Sequence, residues 1–524
     1  MKISAYLYRK EVTDFAQLLK PVPNGMLGPV ALKPKVKLSV PFQAWSVPGR
    51  KKPPSWAAVA GELVDTSAFV NVSNSLVFLF EVDSRFFAVS FGHGHSILNA
   101  ELLEPEFGLR TSVNAVDPNK LAAMQVRTLN ENSRQQRSQT SNQASIADLD
   151  LDVEREMIRF VRGKVGDSTS AVKSLGGSQA VALTTKSDLK EIPKVLSWLL
   201  KAYESDAYKA SFPYLDNFVP LKKSDPAVPP LIKLLHEAIA KPAGQRIGVA
   251  SPDDIFGEEP DYYRISGDRK RRDNLEDLTL ADILDQIASS TKTEPLEDLK
   301  ITPYNAGGDP IRTARKLRDY FVYEVVHEKQ TYVFCLGQWF RIDKDYVKKV
   351  NDQVRSLPDI TNDLALPDWG KDEDGKELTE GTYNEDTAKK HQWLLLDKKN
   401  FPIGGPHQKV EIADLITHKG DFLCVKRMES SATLSHLFSQ AAVSAELYTE
   451  DAAGYATHVN QKYVAHFGSA SLPARPRMVL AIATDKSGNL ADVLFFFSKV
   501  NLVQRRRIVE RAGFTLALSK IEKK

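Results

Sequence analysis

Residues 130–145 read NENSRQQRSQTSNQAS, with eleven Ser, Asn or Gln in sixteen positions. Such a tract carries too little apolar surface to offset the entropy of ordering it in a core. It is expected to be a long mobile loop or linker, so the chain on either side must bury its own core. The 524 residues allow roughly three or four domains at about 150 residues each. The division that follows is an N-terminal α+β domain over 1–129, the polar linker 130–145, a mostly helical middle region 146–330 and a C-terminal domain 331–524.

Periodicity supplies the elements. Lys2–Tyr8 alternates like a strand, and Asp14–Leu19 reads as a short helix. Ser75–Glu81 and Arg85–Phe91 read as a hairpin with Asp83-Ser84 at its turn. Helical spacing marks Leu189–Tyr208, Leu231–Ile239, Leu278–Ile287 and Ala314–Val326. Thr331–Phe334 and Gln338–Ile342 read as a second hairpin around Leu336-Gly337, followed by a helix over Asp345–Ser356. Val493–Phe497 is strand-sized, then come a helix over Leu502–Ala512 and a strand over Thr515–Ser519. The fold class expected is mixed α+β, an α+β half followed by an α/β C-terminal core.

Charge and cysteine usage exclude several classes. Lys plus Arg is 70 against 67 Asp plus Glu, a formal charge of +3, without a histone-like excess of base. The charge is uneven: Ser498–Lys524 holds eight Lys or Arg against Glu510 and Glu522. A near-neutral total can thus hide a basic face. The only cysteines, Cys335 and Cys424, exclude a disulfide framework and a Cys-rich zinc site and fit a reducing compartment. Met1–Lys10 lacks the apolar core of a signal peptide. No apolar run approaches the roughly 18 residues a membrane helix needs. The expected location is the cytoplasm, without membrane insertion.

Chemistry concentrates towards the C-terminus. The order there is a helix over about 384–390, strands Trp393–Leu396, Lys409–Ile416 and Phe422–Met428, a helix over about 432–449 and strand Met478–Thr484. Glu411, Asp414 and Lys426 fall on or beside the middle strands. This order resembles the α-β-β-β-α-β core of the restriction-endonuclease-like PD-(D/E)XK nuclease superfamily. The resemblance implies that Asp414, with Glu385 or Glu411, holds Mg²⁺ or Mn²⁺, that Lys426 stabilises charge on the phosphate, and that Gln440 assists. Carboxylates suit a hard cation, and the metal-bound water would be the nucleophile. The position two before Lys426, an acid in that superfamily, is Cys424. Thiolate is a soft ligand that does not suit Mg²⁺.

A second resemblance spans the chain. Val425–Ala441, Phe87–Gly94, Phe107–Arg110 and Phe496–Leu502 are similar to a sporadically distributed bacterial domain-of-unknown-function family. That family implies a setting among mobile elements and anti-phage defence genes. Ser431 and Ser435 near a helix start, with Lys426, Arg427 and His436, suit a phosphate contact, as Ser or Thr there also suits N-capping. Lys499, Arg505, Arg506 and Arg507 offer a basic footprint for nucleic acid, or a solvated helix face. Arg269–Arg272 reads as a charged loop, and Phe91-Gly-His-Gly-His95 as a glycine-dependent tight turn. The expected function is an anti-phage defence protein that binds nucleic acid, DNA in particular, through a nuclease-like domain with metal-dependent cleavage. The alternative is a non-catalytic sensor or scaffold for DNA or a phage protein. Expected partners are nucleic acid, a protein of the same defence operon that acts as effector, and a second copy of the chain in a homo-oligomer.

Overall fold

Residues 135–144 of the polar tract form a strand, at the edge of a ten-stranded sheet. An edge strand needs no apolar face, because the backbone ladder to its one neighbour holds it. The computed structural model describes the chain outside 22–27, 34–37, 48–50, 55, 73, 93, 129–134, 150–155, 168–169, 243–244, 253–259, 269–273, 277, 306–307, 309, 312–313, 373, 397–400, 403–408, 411, 429–430, 451–453 and 469–470. Of 47, 52, 58, 141, 142, 147, 402, 409, 410, 431 and 432 it describes the backbone alone. Arg269–Arg272, His93 and Glu411 thus lie outside the described residues. The fold is mixed α+β, in two units: one of 1–128, 133–217 and 251–319, the other centred on 218–250 and 320–524.

The first unit is built on strands β1 (Lys2–Leu7), β2 (Gly28–Pro29), β3 (Phe42–Val47), β4 (Ser75–Val82), β5 (Arg85–Gly92), β6 (Val116–Arg127), β7 (Gln135–Ala144), β8 (Met157–Val165), β9 (Val172–Gly177) and β10 (Val181–Thr185). Their order is β2-β3-β4-β5-β1-β10-β9-β8-β6-β7, antiparallel throughout. The β4–β5 turn has Asp83 and Ser84 at φ 51° and 58°, the paired left-handed residues of a type I′ hairpin. Helices α1 (Phe107–Ala115) and α2 (Ile192–Glu204) cover one face, packing Phe107, Leu196 and Leu199 against Val89, Val161 and Leu183. On edge strand β7, Arg137 lies over the Phe160 ring of β8, and Gln135 accepts a hydrogen bond from Gln125 at 3.0 Å. Asp14–Leu19 holds only a 3₁₀ turn, Phe15–Gln17. A three-stranded sheet of Tyr262–Ser266, Lys300–Tyr304 and Arg315–Lys316 completes the unit.

Among the described residues the second unit has two five-stranded sheets and a two-stranded one, Phe401–Pro402 with Lys409–Val410. In the first, β11 (Phe218–Pro220), β12 (Ile247–Val249), β13 (Phe321–His327), β14 (Gln330–Cys335) and β15 (Gln338–Ile342) lie in the order β11-β15-β14-β13-β12. The helix expected over Ala314–Val326 is therefore replaced by a short strand, a 3₁₀ turn and β13. Phe321–Val325 is β-branched and aromatic, and it pairs on both sides. The β13–β14 turn is again of type I′, with Glu328 and Lys329 at φ 49° and 62°.

The other five-stranded sheet follows helices α3 (Val228–Ala240), α4 (Lys344–Arg355) and α5 (Glu380–His391). Its strands are β16 (Leu394–Leu395), β17 (Leu415–Ile416), β18 (Asp421–Arg427), β19 (Arg477–Thr484) and β20 (Thr515–Glu522), in that spatial order. The β16–β17 and β17–β18 pairs are antiparallel, and the β18–β19 and β19–β20 pairs parallel. Interleaved are helices α6 (Ser431–Glu450), α7 (Tyr455–Phe467), α8 (Leu490–Val493) and α9 (Phe496–Arg511). Phe422, Cys424, Met478 and Leu516 pack on the α6 side, and Leu423, Val425, Val479 and Ala517 on the α5 side. Strands buried on both faces read as near-continuous apolar runs. The strand expected over Lys409–Ile416 is broken: Lys409–Val410 pairs with Phe401–Pro402, and Leu415–Ile416 alone joins the sheet. Val493–Phe497 is not a strand but the junction of α8 and α9. The buried Glu324 carboxylate of β13 fixes that junction, accepting the Phe496 and Phe497 N–H groups at 2.8 and 3.2 Å. Carboxylate is the charge a helix N-terminus favours.

Candidate functional site

Asp414 lies just before β17 and is 2% exposed. Its main chain ties three strands, donating to Leu423 O at 2.9 Å and accepting from Leu396 N at 2.8 Å. One carboxylate oxygen accepts the Val425 N–H at 2.7 Å. That oxygen does the work of a missing ladder carbonyl, a role that leaves a buried backbone donor satisfied.

Cys424, on β18, is fully buried, and its thiol donates to Met478 Sδ at 3.7 Å. A thiol inside an apolar core is a small hydrophobe. Lys426 stands at the open end of the same strand. Its ammonium meets the Glu380 carboxylate at 2.9 Å, and the neighbouring Arg427 meets Glu377 at 2.8 Å. The sequence pairs Asp414 with Glu385 or Glu411; α5 turns Tyr383, Asn384, Thr387 and Ala388 inward and leaves Glu385 exposed, and Glu411 lies outside the described residues. Glu380 is the acid that pairing missed. The available signal was the Thr379 N-cap, which starts the helix earlier and puts Glu380 in its first turn. Gln440 is half-buried on α6.

Of the residues expected to hold Mg²⁺, Asp414 accepts the Val425 N–H, Glu385 is exposed and Glu411 lies outside the described residues, while Cys424, in the apolar core, offers only soft sulfur. Among the described residues no three His, Cys, Asp or Glu side chains are grouped to hold a metal ion.

The phosphate contacts expected on α6 fare unevenly. Ser431 opens the helix, and its side chain lies outside the described set. Among the described residues the buried Ser435 hydroxyl has no hydrogen-bond partner, and His436 is exposed.

The basic footprint on α9 is split by the helix's own geometry, since residues one apart point about 100° apart. Lys499 is 6% exposed and faces inward. Its ammonium donates to Asn351 Oδ1 at 2.9 Å and to the Asp492 carbonyl at 3.3 Å. Burial pulls its pKa down to about 8, against the opposing pull of Asp492 and Glu324. Arg506 donates to the Gln353 carbonyl at 3.1 Å and the Ser356 hydroxyl at 2.7 Å, closing the C-terminal end of α4, and pairs with Glu510. Arg505 is half-buried, and Arg507 alone of the three is exposed. The arginine run therefore serves mainly to dock α9 and offers solvent one guanidinium in full.

Fold and contacts together define a mixed α+β protein whose C-terminal five-stranded mixed sheet is flanked by helices. The chain belongs to a family of unknown function, DUF6119, whose model matches residues 3–522. No curated protein and no solved structure matches it. Among the described residues, no helix is long and apolar enough to cross a membrane.

Proposed function

We propose that this chain is a nucleic-acid-binding protein of anti-phage defence whose nuclease-like C-terminal body binds DNA without cutting it, as a sensor or scaffold for a partner effector. The observation that carries the non-cutting reading is the fate of the positions a metal-dependent nuclease uses. Asp414 caps a backbone N–H, Cys424 lies in the core beside Met478, and Lys426 is neutralised by Glu380. The nuclease-like reading is supported by the element order α5-β16-β17-β18-α6-β19, with Lys426 at the end of the third strand. The defence setting rests on the family resemblance alone.

Fluorescence anisotropy with labelled duplex DNA in EDTA tests the binding. The expected result is an affinity that falls steeply with salt, as phosphate contacts require. Affinity that does not respond to salt, or that requires a divalent cation, counts against the reading.

A further inference from the structure

We infer that the second unit holds a phosphate-binding basin outside the nuclease-like sheet, formed where α4 runs beside the β13–β14 turn. The cavity measures about 270 Å³ and is lined by Lys329, Gln330, Thr331, Lys344, Val347, Lys348, Asn351 and Arg355. Four of the eight are cations and none is an acid, although Glu328 and Asp345 are next to lining residues in sequence.

Three of these cations lack any counter-ion. Lys329, Lys344 and Lys348 are exposed, and no ion pair reaches them among the described residues, whereas Arg355 is held by Asp492 at 2.7 Å. Lys344 and Lys348 lie one helical turn apart, a spacing at which like charges repel. Lys344 also stands in the first turn of α4, where the helix dipole disfavours a cation. Lys329 occupies a left-handed turn position at φ 62° that glycine or asparagine fills more easily. None of these choices helps the fold. An anion bound among them offsets the two electrostatic penalties and gives the strained turn position a use.

The remaining lining offers donors as well. Asn351 Oδ1 is taken by the Lys499 ammonium at 2.9 Å, which leaves Asn351 its NH₂ as the donor it can offer a ligand. Thr331 contributes a hydroxyl. The ligand class is linked phosphates, with charge-assisted hydrogen bonds to several oxygens. The cavity is smaller than the roughly 300–1,000 Å³ of a site that engulfs a whole organic ligand. No aromatic ring lines it for a base to stack on. It therefore takes phosphates and leaves bases outside, whether the phosphates belong to a nucleic-acid backbone or to a free oligophosphate. This inference does not rest on the nuclease-like reading.

The test uses the full chain, as parent and as the Lys344→Ala/Lys348→Ala double variant. Anisotropy with a labelled single strand of about 20 nucleotides is followed between about 50 and 200 mM salt, and inorganic tripolyphosphate is titrated separately by calorimetry. The double variant is expected to bind about tenfold more weakly, with a log–log salt slope shallower by about 1.4, two single-strand phosphate contacts. It is expected to melt no lower than the parent, since both lysines are unfavourable where they stand. Loss confined to the strand assigns the basin to a nucleic-acid backbone, and loss confined to tripolyphosphate assigns it to a free oligophosphate. Binding of both ligands unchanged in the double variant, or binding of neither by the parent, overturns the inference. A parent that cuts DNA refutes the non-cutting function but leaves the basin standing, so the two failures are distinguishable.

Discussion

Replacing Lys499 by methionine isolates the cost of burying its charge. The side chain is 6% exposed, and its pKa falls from the model-compound 10.5 to about 8 because burial disfavours the ammonium form. At about 1.4 kcal/mol per pH unit, that interval is roughly 3 kcal/mol against the folded state at neutral pH. Methionine removes this cost but also gives up hydrogen bonds to Asn351 and the Asp492 carbonyl, about 1 kcal/mol each. At pH 7 the variant is therefore expected to be more stable by about 1 kcal/mol. The pH dependence is the sharper test. Above about pH 8 the folded lysine has lost its proton while the unfolded one keeps it to about 10.5. The unfolded state then binds more protons, so the parent gains stability as pH rises. Relative to the variant, the gain is roughly 1 kcal/mol at pH 9 and between about 2 and 3 kcal/mol at pH 10. Urea titrations of both proteins at pH 7, 8, 9 and 10 read it directly, the other titrating groups cancelling in the difference. A parent-minus-variant difference that stays flat over that range refutes the burial argument.

Three further outcomes follow from the same contacts. Glu324→Ala is expected to cost about 3–5 kcal/mol in chemical denaturation, because it strands the Arg246 guanidinium, now 2.6 Å from the carboxylate, and two N–H groups of α9; a loss under about 1 kcal/mol would contradict the capping role. Asp414→Ala is expected to cost about 1–3 kcal/mol by leaving the buried Val425 N–H unpaired, and Lys426→Ala under about 1 kcal/mol, since the half-exposed pair with Glu380 is screened; equal costs in thermal melts would undo that distinction. Lys329→Gly is expected to raise stability by about 1 kcal/mol by relieving the left-handed residue, while weakening tripolyphosphate binding in calorimetry.

Local pattern carried a good part of this architecture and little of its function. The β4–β5 and β14–β15 hairpins were legible because strong alternation flanks short turns, and Leu336-Gly337 includes the glycine that such a turn favours. The turn between them was not, since Glu328-Lys329 carries no turn signal and adopts left-handed angles only under the pairing of β13 with β14. That is also why Ala314–Val326 looked helical: apolar residues at strand spacing and at helix spacing overlap in a short run. The polar tract misled for a different reason. Composition reports what a segment can bury, whereas edge strand β7 is held by backbone hydrogen bonds. At the candidate site the sequence showed which residues shared a strand but not what each one touched. Cys424 and Lys426 follow from register, while the Glu380 partner depends on where α5 begins. The cationic basin was invisible because its lysines come from a turn and a helix that meet only in the folded unit.

The C-terminal body is expected to bind DNA and not to cut it. The most direct measurement incubates supercoiled plasmid with the full chain in Mg²⁺ or Mn²⁺ and resolves both retarded complexes and cleavage products on one gel. Retarded plasmid that returns intact after protein removal is the expected result. Metal-dependent conversion to nicked or linear plasmid, abolished by Asp414→Asn and Lys426→Ala in variants that still fold, would contradict the account.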